Sequence, residues 1–349
     1  MTPQLIMRRI SSSIVWLASA AWLFPIVSSP AAAPAAPAEA VAIPAPTIQR
    51  DSSGAVTLAT TVTGVMIRYT LDGSDPGPKS GPYLAPIALA QGGLVKARAF
   101  SADRKRKGEA AEGRFLALSG TKPLPTTLIP VTQDRDWPLY DWAARHASVS
   151  ALVRERKPEL IFIGDSITQM FGGEPHDRPQ PGREVWDRFH GKRRVANLGF
   201  GYDYVENTLW RIQHGELDGA AARVVVVAIG TNNLGKNTPD EIAAGVGALC
   251  DEIRRRQPRA TIMLQGILPR GPKPDALRKK LAEVNALYAK LAERSNLLFL
   301  DPGPKLLEPD GTLTREMAAD YLHPTARGYA ALAEEMEPTL RKLLGESAP

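Results

Sequence analysis

The sequence contains one cysteine, Cys250, among its 349 residues. A lone thiol excludes a disulfide within the chain, and its position excludes a lipid-modified cysteine near the N-terminus. No stretch interleaves basic with aromatic residues, so the net charge of +6 does not indicate nucleic-acid binding. No nucleic-acid partner is therefore expected. The run Arg104-Lys105-Arg106-Lys107 is predicted to be the solvated tip of a hairpin.

Several catalytic motifs are also missing. The sequence has no Gly-x-Ser-x-Gly elbow, no His-Glu-x-x-His zinc motif, no Walker loop and no Cys-x-x-Cys pair. Gly199-Phe200-Gly201 lacks the third glycine of a dinucleotide-binding fingerprint. No metal ion or organic cofactor is therefore expected.

Residues 1–40 have the layout of a secretory signal peptide followed by an Ala/Pro-rich leader. Arg8 and Arg9 precede the apolar run of residues 14–27, and small residues follow from Ser28 onward. A membrane anchor is the alternative, but Pro25 and an apolar core of roughly 14 residues fit a span of about 20 poorly. We expect an exported protein, periplasmic or secreted, and the absence of disulfides favours a bacterial envelope.

Residues 47–118 are predicted to form a small all-β sandwich. Short β-rich segments alternate with turn sequences such as Asp72-Gly73 and Gln91-Gly92-Gly93. Residues 69–76, 83, 86–87 and 95–100 resemble the small immunoglobulin-like domain at the C-terminus of chitobiases and hexosaminidases. That resemblance implies an accessory module, for which a spacer or packing role is favoured over glycan binding. A Pro-rich linker, residues 119–135, follows.

Residues 136–349 alternate strands with helices. The predicted strands are residues 160–163, 194–199, 224–229, 260–265 and 297–301. The third has no polar alternation, which is typical of a parallel strand covered on both faces. The pattern predicts an α/β domain, a three-layer, doubly wound fold around a parallel five-stranded sheet. Ligands in such folds bind at the C-terminal ends of the strands.

Polar side chains follow these strand ends. Ser166 comes after the first strand, Asn232 after the third, and Asp320 and His323 after the fifth. A serine nucleophile needs a base, an acid that orients the base, and donors for the oxyanion. Taken singly, Ser166 is better interpreted as a helix cap and Asn232 as a turn residue. Their coincidence at the strand ends of one domain favours acyl transfer.

The order and wording of these blocks resemble the SGNH (GDSL) hydrolase superfamily. Its four name-giving residues match Ser166, the glycine of the second block, Asn232 and His323. Within it, the closest likeness is to the catalytic α subunits of intracellular platelet-activating-factor acetylhydrolase, over residues 158–344. Segments 209–217, 230–233, 256–258 and 266–271 carry that likeness. The resemblance implies a flavodoxin-like fold.

The resemblance also implies residue roles. Ser166 would be the nucleophile, His323 the general base and Asp320 its orienting partner. The Asn232 amide and the Ser166 N–H would stabilise the oxyanion. The oxyanion glycine of the family falls on Tyr202, whose N–H can still donate if its backbone conformation accepts a side chain. Gly199 and Gly201 are the neighbouring candidates in the same block.

We therefore expect an exported serine ester hydrolase that forms an acyl-enzyme and removes acetyl or other short acyl groups from carbohydrate. The expected partner is a small acyl ester or an acylated polysaccharide, and the oligomeric state is left open. One alternative is a lipid or phospholipid esterase with the same chemistry. Another, supported only by Tyr202, is a non-catalytic glycan-binding envelope protein.

Overall fold

The computed structural model describes residues 42–292 and 297–347, which belong to one compact unit that starts at Ala42. The predicted signal peptide and leader lie outside the described residues. Within the described ranges, no helix combines the length and apolar character that crossing a membrane would need.

The first part of this unit is a small sandwich of two antiparallel sheets, which confirms the prediction. Its strands are β1 (Thr47–Arg50), β2 (Ala55–Ala59), β3 (Val65–Thr70), β4 (Gly81–Pro82), β5 (Ile87–Ala88), β6 (Gly93–Ser101) and β7 (Lys107–Phe115). One sheet has the order β1-β2-β5 and the other β4-β3-β6-β7. Alternate side chains such as Val56, Leu58, Val95 and Ala97 fill the space between the sheets. We call this sandwich the β-module.

Strand β7 was not predicted from the sequence. Its residues include two glycines and no β-branched side chain, so their own β-propensity is low. The strand forms because it pairs with β6 along its length, from Gly93 opposite Phe115 to Phe100 opposite Lys107. Tertiary pairing overrides local propensity here.

The second part contains a five-stranded parallel sheet, which confirms the predicted α/β fold. Its strands are β8 (Leu160–Gly164), β9 (Val195–Gly199), β10 (Val224–Ala228), β11 (Thr261–Gln265) and β12 (Leu297–Leu300). Their spatial order is β12-β11-β10-β8-β9, and every neighbouring pair is parallel. Numbered within this sheet, the order is 2-1-3-4-5, that of flavodoxin-like folds.

Helices cover both faces of the sheet. They are α1 (Trp142–Arg156), α2 (Ser166–Phe171), α3 (Arg183–His190), α4 (Val205–Gln213), α5 (Pro239–Arg256), α6 (Ala276–Leu291) and α7 (Ala326–Leu344). Ile161 and Ile163 pack in one core with α1, α4, α5 and α6, whereas Leu160 and Phe162 pack in a second core with α2, α3 and α7. Because successive side chains of a strand point to opposite faces, each strand contributes to both cores.

The strand order places a crevice between β8 and β10. After β8 the chain packs on one face of the sheet through α2, and after β10 it packs on the other through α5. The two connections diverge, so the C-terminal ends of these strands stay uncovered. Gly164 pairs in register with Ala228 there. This crevice is where the sequence places Ser166 and Asn232.

The β-module is joined to the rest of the unit by a buried ion cluster. Arg104 Nη1 and Arg68 Nη2, both from the module, lie 2.7 and 3.1 Å from Asp134 Oδ2. Arg104 Nη2 also lies 2.7 Å from Asp141 Oδ2. The side chains of Arg68 and Asp134 are only 1% and 2% exposed. The charges are therefore tolerated because they neutralise one another.

The prediction of a solvated hairpin tip for residues 104–107 is wrong for Arg104. Lys105, Arg106 and Lys107 are exposed, as expected of a hairpin tip. The Arg104 side chain is 6% exposed and lies over the ring of Trp137. Its carboxylate partners come from another part of the chain, so local charge density could not reveal them.

Replacing Asp134 with Asn should lower the free energy of unfolding by about 3–5 kcal/mol, because two buried arginines lose their shared carboxylate. Urea unfolding at neutral pH measures this. The control is Asp75→Asn, which removes an exposed carboxylate paired with Lys96 and Arg98 on the same module and should change stability little. Similar effects for the two variants would contradict a stabilising role for the buried cluster.

Candidate active site

Ser166 begins helix α2 directly after strand β8. Asp165 caps this helix, because its Oδ1 accepts the N–H of Ile167 at 3.0 Å. Gly164 is needed at the strand end, since a Cβ there would overlap the carbonyl of Ala228 on the neighbouring strand. The turn leaves Ser166 largely buried at the crevice, with 7% of its surface exposed.

Three side chains form a continuous hydrogen-bonded chain in the crevice. Ser166 Oγ lies 2.8 Å from His323 Nε2, although 157 positions separate the two residues. His323 Nδ1 lies 2.7 Å from Asp320 Oδ2. Asp320 Oδ1 accepts the backbone N–H groups of Leu322 and His323 at 3.0 and 2.8 Å. The loop itself therefore holds the carboxylate that aligns the imidazole ring with the serine.

The pKa of the Asp320 carboxyl is lowered from its ordinary value. Partial burial raises this pKa, but hydrogen bonds from the His323 side chain and from the backbone outweigh burial. Asp320 is therefore ionised at neutral pH. An ionised acceptor on Nδ1 keeps that nitrogen protonated, which leaves His323 Nε2 free to accept a proton from Ser166 Oγ.

Asn232 approaches from the end of β10. Gly230 adopts a φ of 123°, which side chains rarely permit, and the chain then enters a short 3-10 helix, Thr231–Gly235. Asn232 Nδ2 donates one hydrogen bond to the carbonyl of Asp203 at 2.9 Å. An amide nitrogen carries two hydrogens, so the second remains available to a ligand.

Tyr202 lies in the left-handed region, with a φ of 59°. This conformation costs a residue with a side chain roughly 1–2 kcal/mol. The turn accommodates the ring by leaving it in solvent, where 52% of the residue surface is exposed. Sequence reasoning made donation by the Tyr202 N–H depend on a backbone conformation that accepts a side chain, and the left-handed conformation accepts the tyrosine only at this energetic cost.

The backbone N–H groups of the second block are not equivalent. Those of Gly199 and Gly201 donate at 2.8 Å to Asn197 Oδ1 and Gln169 Oε1. The Tyr202 N–H makes no hydrogen bond with any residue in the described ranges. Of these three N–H groups, that of Tyr202 is the one left to bind a ligand.

Sequence reasoning missed the side chains that hold this turn. The Gly201 carbonyl accepts hydrogen bonds from Gln133 Nε2 at 3.0 Å and from the Tyr140 hydroxyl at 2.9 Å. Arg135 Nη2 donates to the Tyr202 carbonyl at 3.0 Å. These residues belong to no motif and lie more than 60 positions from the turn. No local signal could have identified them.

Comparisons with known proteins identify the family of this chain. The model of the GDSL-like lipase/acylhydrolase family matches residues 162–331, and that of the chitobiase/beta-hexosaminidase C-terminal domain matches residues 45–110. Human platelet-activating factor acetylhydrolase IB subunit alpha1 is 34% identical over 213 residues, covering 60% of this chain and 88% of that protein. The chain belongs to the GDSL-like lipase/acylhydrolase family. It is therefore a hydrolase of the esterase/acylhydrolase class, and both sequence resemblances are confirmed.

Two further proteins are similar to this chain. Subunit alpha2 of the same acetylhydrolase from Bos taurus is 33% identical over 207 residues, which cover 59% of this chain and 86% of that protein. A solved carbohydrate acetylesterase family member from Sinorhizobium meliloti is 18% identical, with a TM-score of 0.41, covering 53% of this chain and 98% of that one. Structural likeness at this level does not bear on the substrate.

Asp165 is the second ionisable group beside Ser166. Complete burial raises the pKa of its carboxyl to about 7, and the negative charge of Asp203 adds to the effect. Near neutral pH this carboxyl is therefore partly protonated. Because this pKa differs from its value in the unfolded chain, the stability of the folded state depends on pH.

The raised pKa predicts a pH-dependent stability. A carboxyl whose pKa rises from 3.8 to about 7 on folding stabilises the protein below about pH 4, and this contribution is lost as pH rises through 7. Asp165→Asn keeps an oxygen for the Ile167 N–H but does not titrate. Between about pH 4 and pH 7 the wild type should lose a few kcal/mol more stability than the variant. Urea unfolding across this range measures the difference, and parallel curves would refute the assignment.

Proposed function

We propose that this GDSL-family hydrolase is a serine carboxylic-ester hydrolase that works through an acyl-enzyme. The observation that carries the proposal is the unbroken chain from Ser166 Oγ through His323 to Asp320, with spacings of 2.8 and 2.7 Å. A hydroxyl becomes a nucleophile when an oriented base can take its proton. The Asp320 carboxylate supplies that orientation.

In the first half-reaction, Ser166 Oγ attacks the ester carbonyl carbon while His323 Nε2 takes the hydroxyl proton. The tetrahedral intermediate then collapses, the bond to the alcohol oxygen breaks, and His323 returns its proton to the leaving alkoxide. In the second half-reaction, His323 takes a proton from water, which attacks the acyl-enzyme. The acid leaves and Ser166 recovers its proton.

The negative charge on the intermediate needs hydrogen-bond donors. We assign this role to the backbone N–H groups of Ser166 and Tyr202 and to Asn232 Nδ2. Asn232 is already held by the Asp203 carbonyl, so it requires little rearrangement when the charge develops. One such donor is worth roughly 3–4 kcal/mol of transition-state stabilisation.

Ser166→Ala should abolish hydrolysis of p-nitrophenyl acetate and labelling by a fluorophosphonate, because no other oxygen occupies the attacking position. The control is Ser150→Ala, which removes another buried serine hydroxyl, on helix α1, and should leave both readouts unchanged. Activity of Ser166→Ala near the wild-type level would rule out the serine mechanism.

We propose that the substrate is an acetyl or other short acyl ester of a carbohydrate. The curated relatives are named as acetylhydrolases, which supports a short acyl group. The β-module matches a domain named for chitobiase and hexosaminidase, which supports a carbohydrate. A lipid acetylhydrolase is the second candidate, because those relatives are named for platelet-activating factor.

Location and domain limits are part of the same proposal. Export rests on the signal-like residues 1–40, and domains at residues 47–118 and 136–349 joined by a linker at 119–135 remain our division of the chain. The alternative of a non-catalytic glycan-binding envelope protein is less well supported than that of an enzyme. Its one argument was Tyr202, and the backbone N–H of that residue, which makes no hydrogen bond within the described ranges, supports a catalytic role instead.

A substrate panel separates the two ester classes. Acetate release from acetylated xylan, peptidoglycan and chitin-derived sugars should exceed hydrolysis of long-chain nitrophenyl esters, when all rates are expressed per Ser166 titrated with fluorophosphonate. Preference for long-chain or phospholipid esters would instead support the lipid enzyme.

A further inference from the structure

The end of the linker, residues 131–135, runs between the β-module and the candidate active site without forming a helix or a strand. Its side chains contact the two parts alternately. Thr132 and Asp134 bind the β-module, whereas Gln133 and Arg135 bind the turn that carries Tyr202. Neighbouring side chains of this segment therefore contact different parts of the unit.

The contacts with the β-module are buried. The Thr132 N–H donates to the Tyr69 hydroxyl at 3.2 Å, and Thr132 Oγ1 donates to the Pro82 carbonyl at 2.6 Å. Asp134 is held by the ion cluster with Arg68 and Arg104. Gln133 therefore lies between two anchors on the module, and the module determines where this residue sits.

The contacts of Gln133 with the active site are equally specific. Its Nε2 donates to the Gly201 carbonyl at 3.0 Å and to Asp203 Oδ1 at 2.9 Å. Its Oε1 accepts the Arg135 N–H at 2.6 Å. Gln133 is 1% exposed, so water cannot replace these partners without reorganisation of the interior.

The planarity of the peptide bond links these contacts to the oxyanion donor. The Gly201 carbonyl and the Tyr202 N–H belong to one planar trans unit, so they point in opposite directions. Donors that hold the carbonyl on one side therefore aim the N–H to the other side. Gln133 and Tyr140 are those donors. Arg135 donates to the next carbonyl, that of Tyr202, and this residue has the left-handed backbone conformation.

We propose that Gln133 is a positioning residue for the Tyr202 N–H and that the β-module is a working part of the active site because it holds Gln133. The inference rests on the proposed function, in which the Tyr202 N–H binds the oxyanion. It gives the module a role distinct from glycan binding. Loss of the positioning contacts slows the chemical step even for a substrate too small to reach the module.

The first test uses Gln133→Met, which keeps the length of the side chain and removes its donor. With p-nitrophenyl acetate, kcat should fall about tenfold, and Gln133→Met/Tyr140→Phe should lose about a hundredfold, as expected for impairment of one oxyanion donor. KM and the pH profile should not change, because the triad is untouched. Rates are expressed per Ser166 titrated to completion with fluorophosphonate, so a smaller folded fraction does not alter them.

The matched control is Gln257→Met, which removes a glutamine whose Nε2 donates at 3.0 Å to the backbone carbonyl of Leu217. It should retain wild-type kcat. If the double variant matches Gln257→Met while the wild type hydrolyses the ester, the inference fails and the proposed function stands. If the wild type neither hydrolyses the ester nor labels Ser166, the proposed function itself fails.

The second test addresses the module directly. Tyr69→Phe removes the acceptor of the Thr132 N–H and should lower kcat about threefold to tenfold at unchanged KM. Tyr83→Phe removes another tyrosine hydroxyl from the same module and should leave kcat unchanged. Equal kcat for the two variants would show that the module does not act on the site through residue 132.

Discussion

The arrangement of the site depends on the buried side chain of Asp203. Its carboxylate, 0% exposed, accepts hydrogen bonds from Gln133 of the linker, Trp142 of α1 and Arg211 of α4, at 2.8–2.9 Å. Its backbone carbonyl accepts the amide of Asn232. One residue thus joins the linker, two helices and the end of β10 to the turn that carries Tyr202.

Burial of such a carboxylate costs free energy, and the surrounding charges and hydrogen bonds offset that cost. Burial raises the pKa of Asp203, while the charge of Arg211 and the hydrogen bonds from Gln133 and Trp142 oppose that effect. Arg211 is shared with Glu216, which is also fully buried. Removal of Arg211 would leave both carboxylates without their charged partner in the interior. The network therefore tolerates little rearrangement, which suits donors that must be aimed before a charge develops.

The same network explains why Tyr202 can remain in an unfavourable backbone conformation, since its neighbours leave no alternative.

Much of the fold could be predicted from local patterns. The five apolar runs of the second domain are the five strands of the sheet, and the lack of alternation in the third correctly indicated a sheet covered on both faces. Strand β7 and the inward turn of Arg104 were not predictable in this way. Both depend on partners distant in sequence, namely β6 and the carboxylates of Asp134 and Asp141.

The sequence by itself determined which residues could do chemistry. A serine after one strand, an asparagine after another and an Asp-x-x-His pair before the last helix follow from composition and spacing, because parallel strands bring their C-terminal ends to one edge. Only the tertiary structure decided how these groups are aimed. The direction of the Tyr202 N–H depends on hydrogen bonds from Gln133 and Tyr140 to the Gly201 carbonyl, over 68 and 61 positions. Polar contacts at that separation leave no periodic trace in a single sequence, because each needs only one side chain at one point in space.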